Sequence, residues 1–186
     1  MISEKNLVWL DLEMTGLNPD LDTILEIATI ITDNNLTFIE QGPHLVIHQP
    51  NELLEKMDEW NRNQHKKSGL VEAVKKSTIS LAEAEQQTLK FIKQYCIAGF
   101  SPLCGNSIFQ DRAFIRRLMP ALNAYLHYRL IDVSTVKELV KRWYPTDQKS
   151  RYEKKDIHRA LDDVYASIEE LKQYRTYFFV NQNTLS

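Results

Sequence analysis

The chain has 186 residues, of which 23 are basic and 25 acidic, so its formal net charge is −2. Hydrophobic residues make up 43% of the sequence, enough for one domain with a sizeable core, and no apolar run reaches the roughly 20 residues that span a bilayer. A protein that grips long nucleic acids is usually strongly basic, so nucleic acid is either not the ligand or a ligand too short to need many phosphate contacts.

The sequence shows no division into separate parts. Only 5 glycines and 6 prolines leave little room for a flexible linker, so we expect a single domain over residues 1–186 with its core at about residues 7–176. The N-terminus enters a strand-like run at once and has no signal-peptide pattern. Cys96 and Cys104 lack the spacing of a metal site, which predicts buried thiols in a reducing compartment. These features favour a cytoplasmic protein with no membrane partner.

The chain begins with three predicted strands. Residues 7–13 and 24–32 are rich in apolar and β-branched side chains, which is typical of buried strands. Residues 36–48 predict a third strand that is broken near Gly42 and Pro43. We expect the three strands to form a meander.

The rest of the chain mixes helices with two short strands. From residue 52 to residue 95, apolar side chains repeat with helical spacing. Further strands are predicted at 101–105 and 128–133, and further helices at 108–118, 134–143 and 159–176. Ser107 and Gln110 resemble a capping box at the start of the helix near 108–118. This order of elements indicates an α/β fold.

Asp11 and Glu13 interrupt the apolar first strand. Because they are two residues apart, their side chains project from the same face of the strand. Two carboxylates in a buried strand cost several kcal/mol unless a partner compensates them, and a hard divalent cation prefers such oxygens. A strand end at which both acids are solvated explains the pair equally well.

Asp111 falls within the predicted helix near 108–118. It shares a helical stripe with Phe114 and Ile115, which indicates an inward position for the acid. An acid there needs a partner. The alternative is an ordinary first-turn Asp that the helix dipole stabilises.

The third group of polar residues lies at the start of the last predicted helix. Asp163 flanks the apolar stripe of that helix, and Asp162 lies on the other flank. His158 is four residues before Asp162, so helical spacing does not select His158 and Asp163 as a pair. If they act together, His158 lies at or before the helix start. On its own, His158 is more typical of a capping or surface histidine.

Together these residues suit one chemistry. Four carboxylates can hold two metal ions about 3.5–4 Å apart, an arrangement used for displacement at phosphorus. A histidine is a suitable general base for the attacking water. The set comprises Asp11, Glu13, Asp111, Asp163 and His158.

The segments around these residues resemble the DEDDh exonuclease superfamily, through the motifs DLEMTGL, GNSIFQDRAFI and HRALDD. The oligoribonuclease branch is similar over nearly the whole chain, including IHQP, KMDEWN and HYRLIDVSTVKEL. The resemblance implies a ribonuclease H-like α/β fold, in which helices flank a five-stranded mixed sheet. It also implies a homodimer with Mg²⁺ or Mn²⁺ as cofactor, two ions per active site. The implied reaction releases nucleoside 5′-monophosphates from the 3′ ends of very short RNAs, down to dinucleotides, and binding of long duplexes is not expected.

The resemblance also assigns roles by matched position. The catalytic metal ligands correspond to Asp11, Glu13, Asp111 and Asp163, and the general base to His158. Side chains that sandwich the 3′ base correspond to Leu17 and Trp60, although Trp60 alone would suit ordinary helix packing. Groups near the substrate backbone correspond to His65 and Ser107. A catalytic aromatic that reaches the 5′ side of the substrate across the dimer interface corresponds to Tyr128, and the cap of the 5′ phosphate to Arg129, Ser134 and Thr135.

Residues 144–157 are lysine-rich and have no clear pattern, so the position of His158 stays open. We expect a loop here that orders on binding. Two other functions also stay open. The first is a DEDDh exonuclease that acts on longer single strands, against which the acidic composition argues. The second is a catalytically silent nucleic-acid-binding module, against which the complete set of acids argues.

Overall fold

The computed structural model describes residues 2–153 and 159–180. Within this part of the chain the strands are β1 (Leu7–Met14), β2 (Ile24–Thr32), β3 (Phe38–Val46), β4 (Leu103–Gly105) and β5 (Leu130–Asp132). They form one five-stranded sheet in the order β3-β2-β1-β4-β5. β2 is antiparallel to β1 and β3, whereas β4 is parallel to β1 and β5. The predicted meander and mixed five-stranded sheet are therefore confirmed.

Helices cover both faces of this sheet. In chain order they are α1 (Asn51–Glu55), α2 (Glu59–Lys67), α3 (Leu70–Lys76), α4 (Leu81–Ile92), α5 (Ile108–Leu118), α6 (Pro120–Tyr125), α7 (Val133–Trp143) and α8 (Ala160–Phe178), with a 3-10 helix at Gln148–Ser150 before α8. Among these described helices, none has the length and apolar character needed to cross a bilayer.

Two predictions of local structure are wrong. β3 is not broken at Gly42 and Pro43: the strand continues, and its pairing register with β2 shifts there, as an edge strand allows. Ser107 does not form a capping box, because its backbone is left-handed (φ 50°) and its side chain makes no capping hydrogen bond. The reciprocal capping box of the described chain instead lies at Ser80 and Glu83, at the start of α4.

The two faces of β1 explain where its acids lie. Leu10 and Leu12 pack on one face with side chains from α4, α5 and α6. Trp9 packs on the other face with side chains from α7 and α8. Because strand side chains alternate, Asp11 and Glu13 continue the face of Trp9. The sheet thus directs both acids toward α8.

Candidate active site

Three carboxylates converge where β1 packs against α8. Asp11, Glu13 and Asp163 each offer one oxygen, and these oxygens all lie within 4.8 Å of one another. Asp163 is buried in the first turn of α8, whereas Asp11 and Glu13 are half-buried. Hard divalent cations bind carboxylate oxygens, so this cluster can hold such an ion.

Asp111 lies in the first turn of α5 and is buried, as its helical stripe predicts. Its Oδ1 accepts a hydrogen bond of 2.9 Å from the backbone N–H of Leu12. The carboxyl group therefore contacts β1 between Asp11 and Glu13, although it is not one of the three that converge within 4.8 Å. Burial raises the pKa of Asp111 to about 7, against the opposing effect of the Leu12 N–H.

His65 of α2 is buried beside Glu13. Its Nε2 lies 2.9 Å from the carbonyl oxygen of Met14, and because a carbonyl only accepts, this nitrogen carries a proton. The Nδ1 atom lies 3.8 Å from Oε2 of Glu13. His65 therefore contacts both the end of β1 and the acid cluster.

Leu17 lies in the loop that follows β1, and this loop is organised around Asp22. The Asp22 carboxylate accepts hydrogen bonds from the Thr15 hydroxyl at 2.8 Å and from the Asn18 N–H at 2.9 Å. The Leu17 side chain is 70% exposed. A short internal network thus holds an apolar side chain out into solvent.

A cavity of about 610 Å³ opens between the Leu17 loop and the connection from α1 to α2. Lys56 and Asp58, in the connection from α1 to α2, line its other side, and Asp58 caps α2 two residues before Trp60. The Trp60 side chain is 65% exposed. Two exposed apolar side chains therefore lie on the loop and the helix start that border one cavity.

Ser107 and Ser134 meet where α5 and α7 begin. The Ser107 N–H donates to Ser134 Oγ at 2.9 Å and to Asp132 Oδ1 at 3.0 Å, and the two serine hydroxyl oxygens are 3.2 Å apart. Thr135, the next residue of α7, is exposed. These hydroxyl groups form one polar surface.

Tyr128 and Arg129 precede β5, the edge strand two places from β1 in the sheet. The Tyr128 side chain is 74% exposed. Its ring stacks on His127 at 4.4 Å, and the Arg129 guanidinium lies 5.3 Å from the ring centre. The pair thus forms an exposed aromatic and cationic surface. His158, by contrast, falls outside residues 2–153 and 159–180, so its predicted role as base stays a prediction.

Comparison with known proteins agrees with this geometry. Residues 8–171 match the exonuclease family model RNase_T. The oligoribonuclease of Pseudomonas aeruginosa is 54% identical over 178 residues, covering 96% of this chain and 98% of that protein. The oligoribonuclease of Chromobacterium violaceum is 56% identical over 173 residues, covering 93% of this chain and 95% of that protein. The chain belongs to the oligoribonuclease family.

Solved structures place this oligoribonuclease-family chain in a wider fold group. E. coli exonuclease I, in complex with a 5cy-dT13 oligonucleotide, superposes with a TM-score of 0.71 at 17% identity. The match covers 95% of this chain but 42% of the exonuclease I chain. At that identity the likeness shows the fold, which is ribonuclease H-like as predicted.

Sequence reasoning missed a buried charge cluster at the start of α8. Glu26 of β2 is fully buried and accepts hydrogen bonds from Arg159 Nε (2.9 Å), His44 Nε2 (2.8 Å) and the Ala160 N–H (3.0 Å). Burial alone would raise the pKa of Glu26, but the hydrogen bonds from His44 and Arg159 lower it to about 2. The sequence does carry a signal for this cluster, because Glu26 interrupts an apolar strand just as Asp11 does.

The acid cluster predicts metal-dependent stability for this member of the oligoribonuclease family. Mn²⁺ at about 100 times its dissociation constant should stabilise the fold by about 2.7 kcal/mol. For a chain of this size the melting temperature should then rise by about 5–10 °C relative to EDTA. Differential scanning fluorimetry of the wild type and Asp11→Asn measures this. An equal shift in both proteins would show that Mn²⁺ binds elsewhere.

Proposed function

We propose that the chain is a 3′→5′ exoribonuclease that releases nucleoside 5′-monophosphates from very short RNAs, down to dinucleotides. The observation that carries this proposal is the convergence of three carboxylates at the β1–α8 contact. It occurs in a chain that is more than half identical to oligoribonucleases over nearly its full length. The formal charge of −2 also suits a substrate with few phosphates.

The proposed cofactor is Mg²⁺ or Mn²⁺, two ions per site, held by Asp11, Glu13, Asp111 and Asp163. The donor set supports this, since all four are carboxylates and hard cations prefer oxygen ligands. The buried Asp111 carboxyl fits a site with a cation nearby, because positive charge would stabilise its ionised form. Bound cations would neutralise charge on the phosphate and lower the pKa of the attacking water.

The other proposed roles belong to residues outside this set of metal ligands. His158 takes the proton of the water that attacks the phosphate linking the last two nucleosides. The bond from that phosphorus to the 3′ oxygen of the preceding nucleoside breaks, and this oxygen takes a proton from solvent and leaves as a hydroxyl. Leu17 and Trp60 hold the 3′ base between them, and His65 lies near the backbone of the RNA. The cavity beside the Leu17 loop, at the connection that leads into α2, supports the base site.

We also propose a homodimer in which Tyr128 reaches the 5′ side of the RNA bound by the other subunit. Its exposed ring, stacked on His127, is available for such a contact. Arg129, Ser134 and Thr135, with Ser107 near the backbone, cap the 5′ phosphate in this proposal. The buried free thiols of Cys96 and Cys104 suit the reducing cytoplasm.

Gly16→Ala should raise the KM for a dinucleotide about tenfold or more, with a smaller effect on kcat. A Cβ atom at Gly16 would lie 2.5 Å from Oδ2 of Asp22, which is too close, so the Asp22 carboxylate must move. That movement would disturb its hydrogen bonds to Thr15 and Asn18, which hold the loop that carries Leu17. Stacking contributes about 1–3 kcal/mol per base, and part of it would be lost. Steady-state kinetics measure the split, and an unchanged KM would contradict the base-holding role of the loop.

The test of the proposed function is degradation of 5′-labelled RNAs of different lengths. RNAs of about 2, 5 and 20 nucleotides are incubated with Mn²⁺ or EDTA, beside Asp11→Ala as control. Metal-dependent release of monophosphates, fastest on the dinucleotide and absent in the variant, is expected. Faster cleavage of the longest RNA would favour an exonuclease of longer strands. No cleavage by folded protein with metal would favour a silent binding module.

A further inference from the structure

A polar network lies between α7, α8 and the turn that joins β4 to α5. Its centre is Glu170 of α8, whose side chain is 1% exposed. The carboxylate accepts hydrogen bonds from the Lys137 ammonium at 2.7 Å, the Tyr174 hydroxyl at 2.7 Å and the Asn106 amide at 2.9 Å. A buried charge is thus paired and hydrogen-bonded by three elements of the fold.

Glu170 fixes the orientation of the Asn106 side-chain amide. A carboxylate only accepts hydrogen bonds, so the NH2 group of Asn106 faces Glu170, and it also donates to Ser167 Oγ at 3.0 Å. The amide oxygen of Asn106 therefore faces Ser134, whose Oγ lies 3.0 Å away. Because an amide oxygen only accepts, the Ser134 hydroxyl donates its proton inward.

The direction of that hydrogen bond decides what each serine can offer to a ligand. With its proton directed at Asn106, Ser134 Oγ acts as an acceptor and receives the backbone N–H of Ser107 at 2.9 Å. The Ser107 hydroxyl is on an exposed residue, and its contact with Ser134 Oγ is longer, at 3.2 Å. A small rotation would turn the Ser107 proton toward an acceptor in solvent.

We propose that Glu170, through Asn106, is a positioning residue for the 5′-phosphate end of the RNA. It turns the Ser134 proton inward and leaves Ser107 as the hydroxyl that donates to the phosphate. This inference rests on the proposed function, which assigns Ser107 and Ser134 to the substrate. It deepens that function by changing the parts that the two serines play in the cap: Ser107 donates to the phosphate, whereas Ser134 contributes by accepting the Ser107 backbone N–H instead of contacting the phosphate itself.

The first test compares Ser107→Ala with Ser134→Ala on dinucleotides with and without a 5′ phosphate. A lost hydrogen bond to a charged group corresponds to about tenfold or more. The ratio of kcat/KM for the two substrates should therefore fall about tenfold in Ser107→Ala. In Ser134→Ala it should change by less than about threefold, because Asp132 Oδ1 still accepts the Ser107 N–H. An equal fall of this ratio in both variants, or a larger fall in Ser134→Ala, would overturn the inference. This test needs no substitution at Glu170.

The second test changes the direction of the hydrogen bonds by Glu170→Gln. A glutamine amide can donate to Asn106, so the Asn106 amide can turn over and release the Ser134 proton toward the substrate. In this background Ser107→Ala should reduce the 5′-phosphate preference by less than about threefold, because Ser134 replaces the lost donor.

Tyr174→Phe is the matched control, since it removes a hydrogen bond to the same carboxylate but keeps the charge. Ser107→Ala should keep its full effect of about tenfold in that background. The same full effect in a Glu170→Gln protein that circular dichroism shows to be folded would contradict the inference. If Glu170→Gln does not fold, the inference still depends on the first test, in which equal losses in Ser107→Ala and Ser134→Ala would overturn it.

The wild-type protein separates this inference from the proposed function. Equal kcat/KM on dinucleotides with and without a 5′ phosphate would remove the proposed phosphate cap, and the inference with it. A clear preference for the 5′ phosphate, with equal losses in Ser107→Ala and Ser134→Ala, would overturn the inference alone. A clear preference with a loss confined to Ser107→Ala supports both.

Discussion

Asp163→Asn is expected to reduce turnover of a dinucleotide by about a thousandfold or more while the protein stays folded. The change removes one of three carboxylates whose oxygens lie within 4.8 Å and leaves an amide of similar shape. A bound cation contributes several kcal/mol of charge stabilisation in a transition state, and each 1.4 kcal/mol is about a factor of ten. Initial rates of monophosphate release with Mn²⁺ measure the effect.

The matched control is Asp162→Asn, which removes the same charge from the same turn of α8. Asp162 is exposed, whereas Asp163 is buried in the cluster, so the control should keep most of the wild-type rate. A near-normal rate in Asp163→Asn would disprove its assignment as a ligand. Equal losses in both variants would mean that the charge at the helix start matters more than the cluster.

Strand periodicity correctly predicted that Asp11 and Glu13 project from the same face of β1. The alternation of side chains places Asp11 and Glu13 on one face of β1, and the structure shows them on the face that α8 covers. This succeeds because a two-residue period is a local property of the backbone. The buried position of Asp111 follows in the same way from a helical period that is anchored by Phe114.

The choice between Asp162 and Asp163 could not be made from helical spacing. Both acids flank the apolar stripe, and the rotation of α8 about its axis decides which one faces β1. That rotation depends on tertiary contacts, among them the hydrogen bonds from Arg159 and Ala160 to Glu26, which is more than 130 positions earlier in the chain. Resemblance to a family selected Asp163, and the structure shows that an Asp163 oxygen lies within 4.8 Å of oxygens of Asp11 and Glu13.

Helix capping is a second case in which tertiary contacts decide what local sequence spacing leaves open. Ser80 and Ser107 each precede an acid or amide by three residues, but a reciprocal capping box forms at Ser80 alone of the two. At Ser107 the backbone N–H is already bonded to Asp132 and Ser134, which lie beyond α6. A distant partner therefore competes with the local one, and a three-residue spacing cannot reveal it.

Arg159→Met should lower the free energy of unfolding by about 3–5 kcal/mol at pH 7. Glu26 is fully buried, and removing one partner of a buried ion pair leaves the other charge poorly compensated. His44 and the Ala160 N–H remain as hydrogen-bond donors, but neither replaces the permanent charge of the guanidinium. Urea unfolding measures the loss, and Arg175→Met, an exposed arginine of the same helix, should change stability by at most about 0.5 kcal/mol.

The pH dependence of this difference has a definite sign. The pKa of Glu26 is lowered from its ordinary 4.5 to about 2 in the folded protein. A lowered pKa stabilises the fold above the unfolded value, and this stabilisation, roughly 3 kcal/mol, is lost as the pH falls toward the folded value. The difference between wild type and Arg159→Met should therefore shrink between about pH 5 and pH 2. A difference that stays constant over this range would mean that Arg159 stabilises α8 by packing, independently of the charge on Glu26.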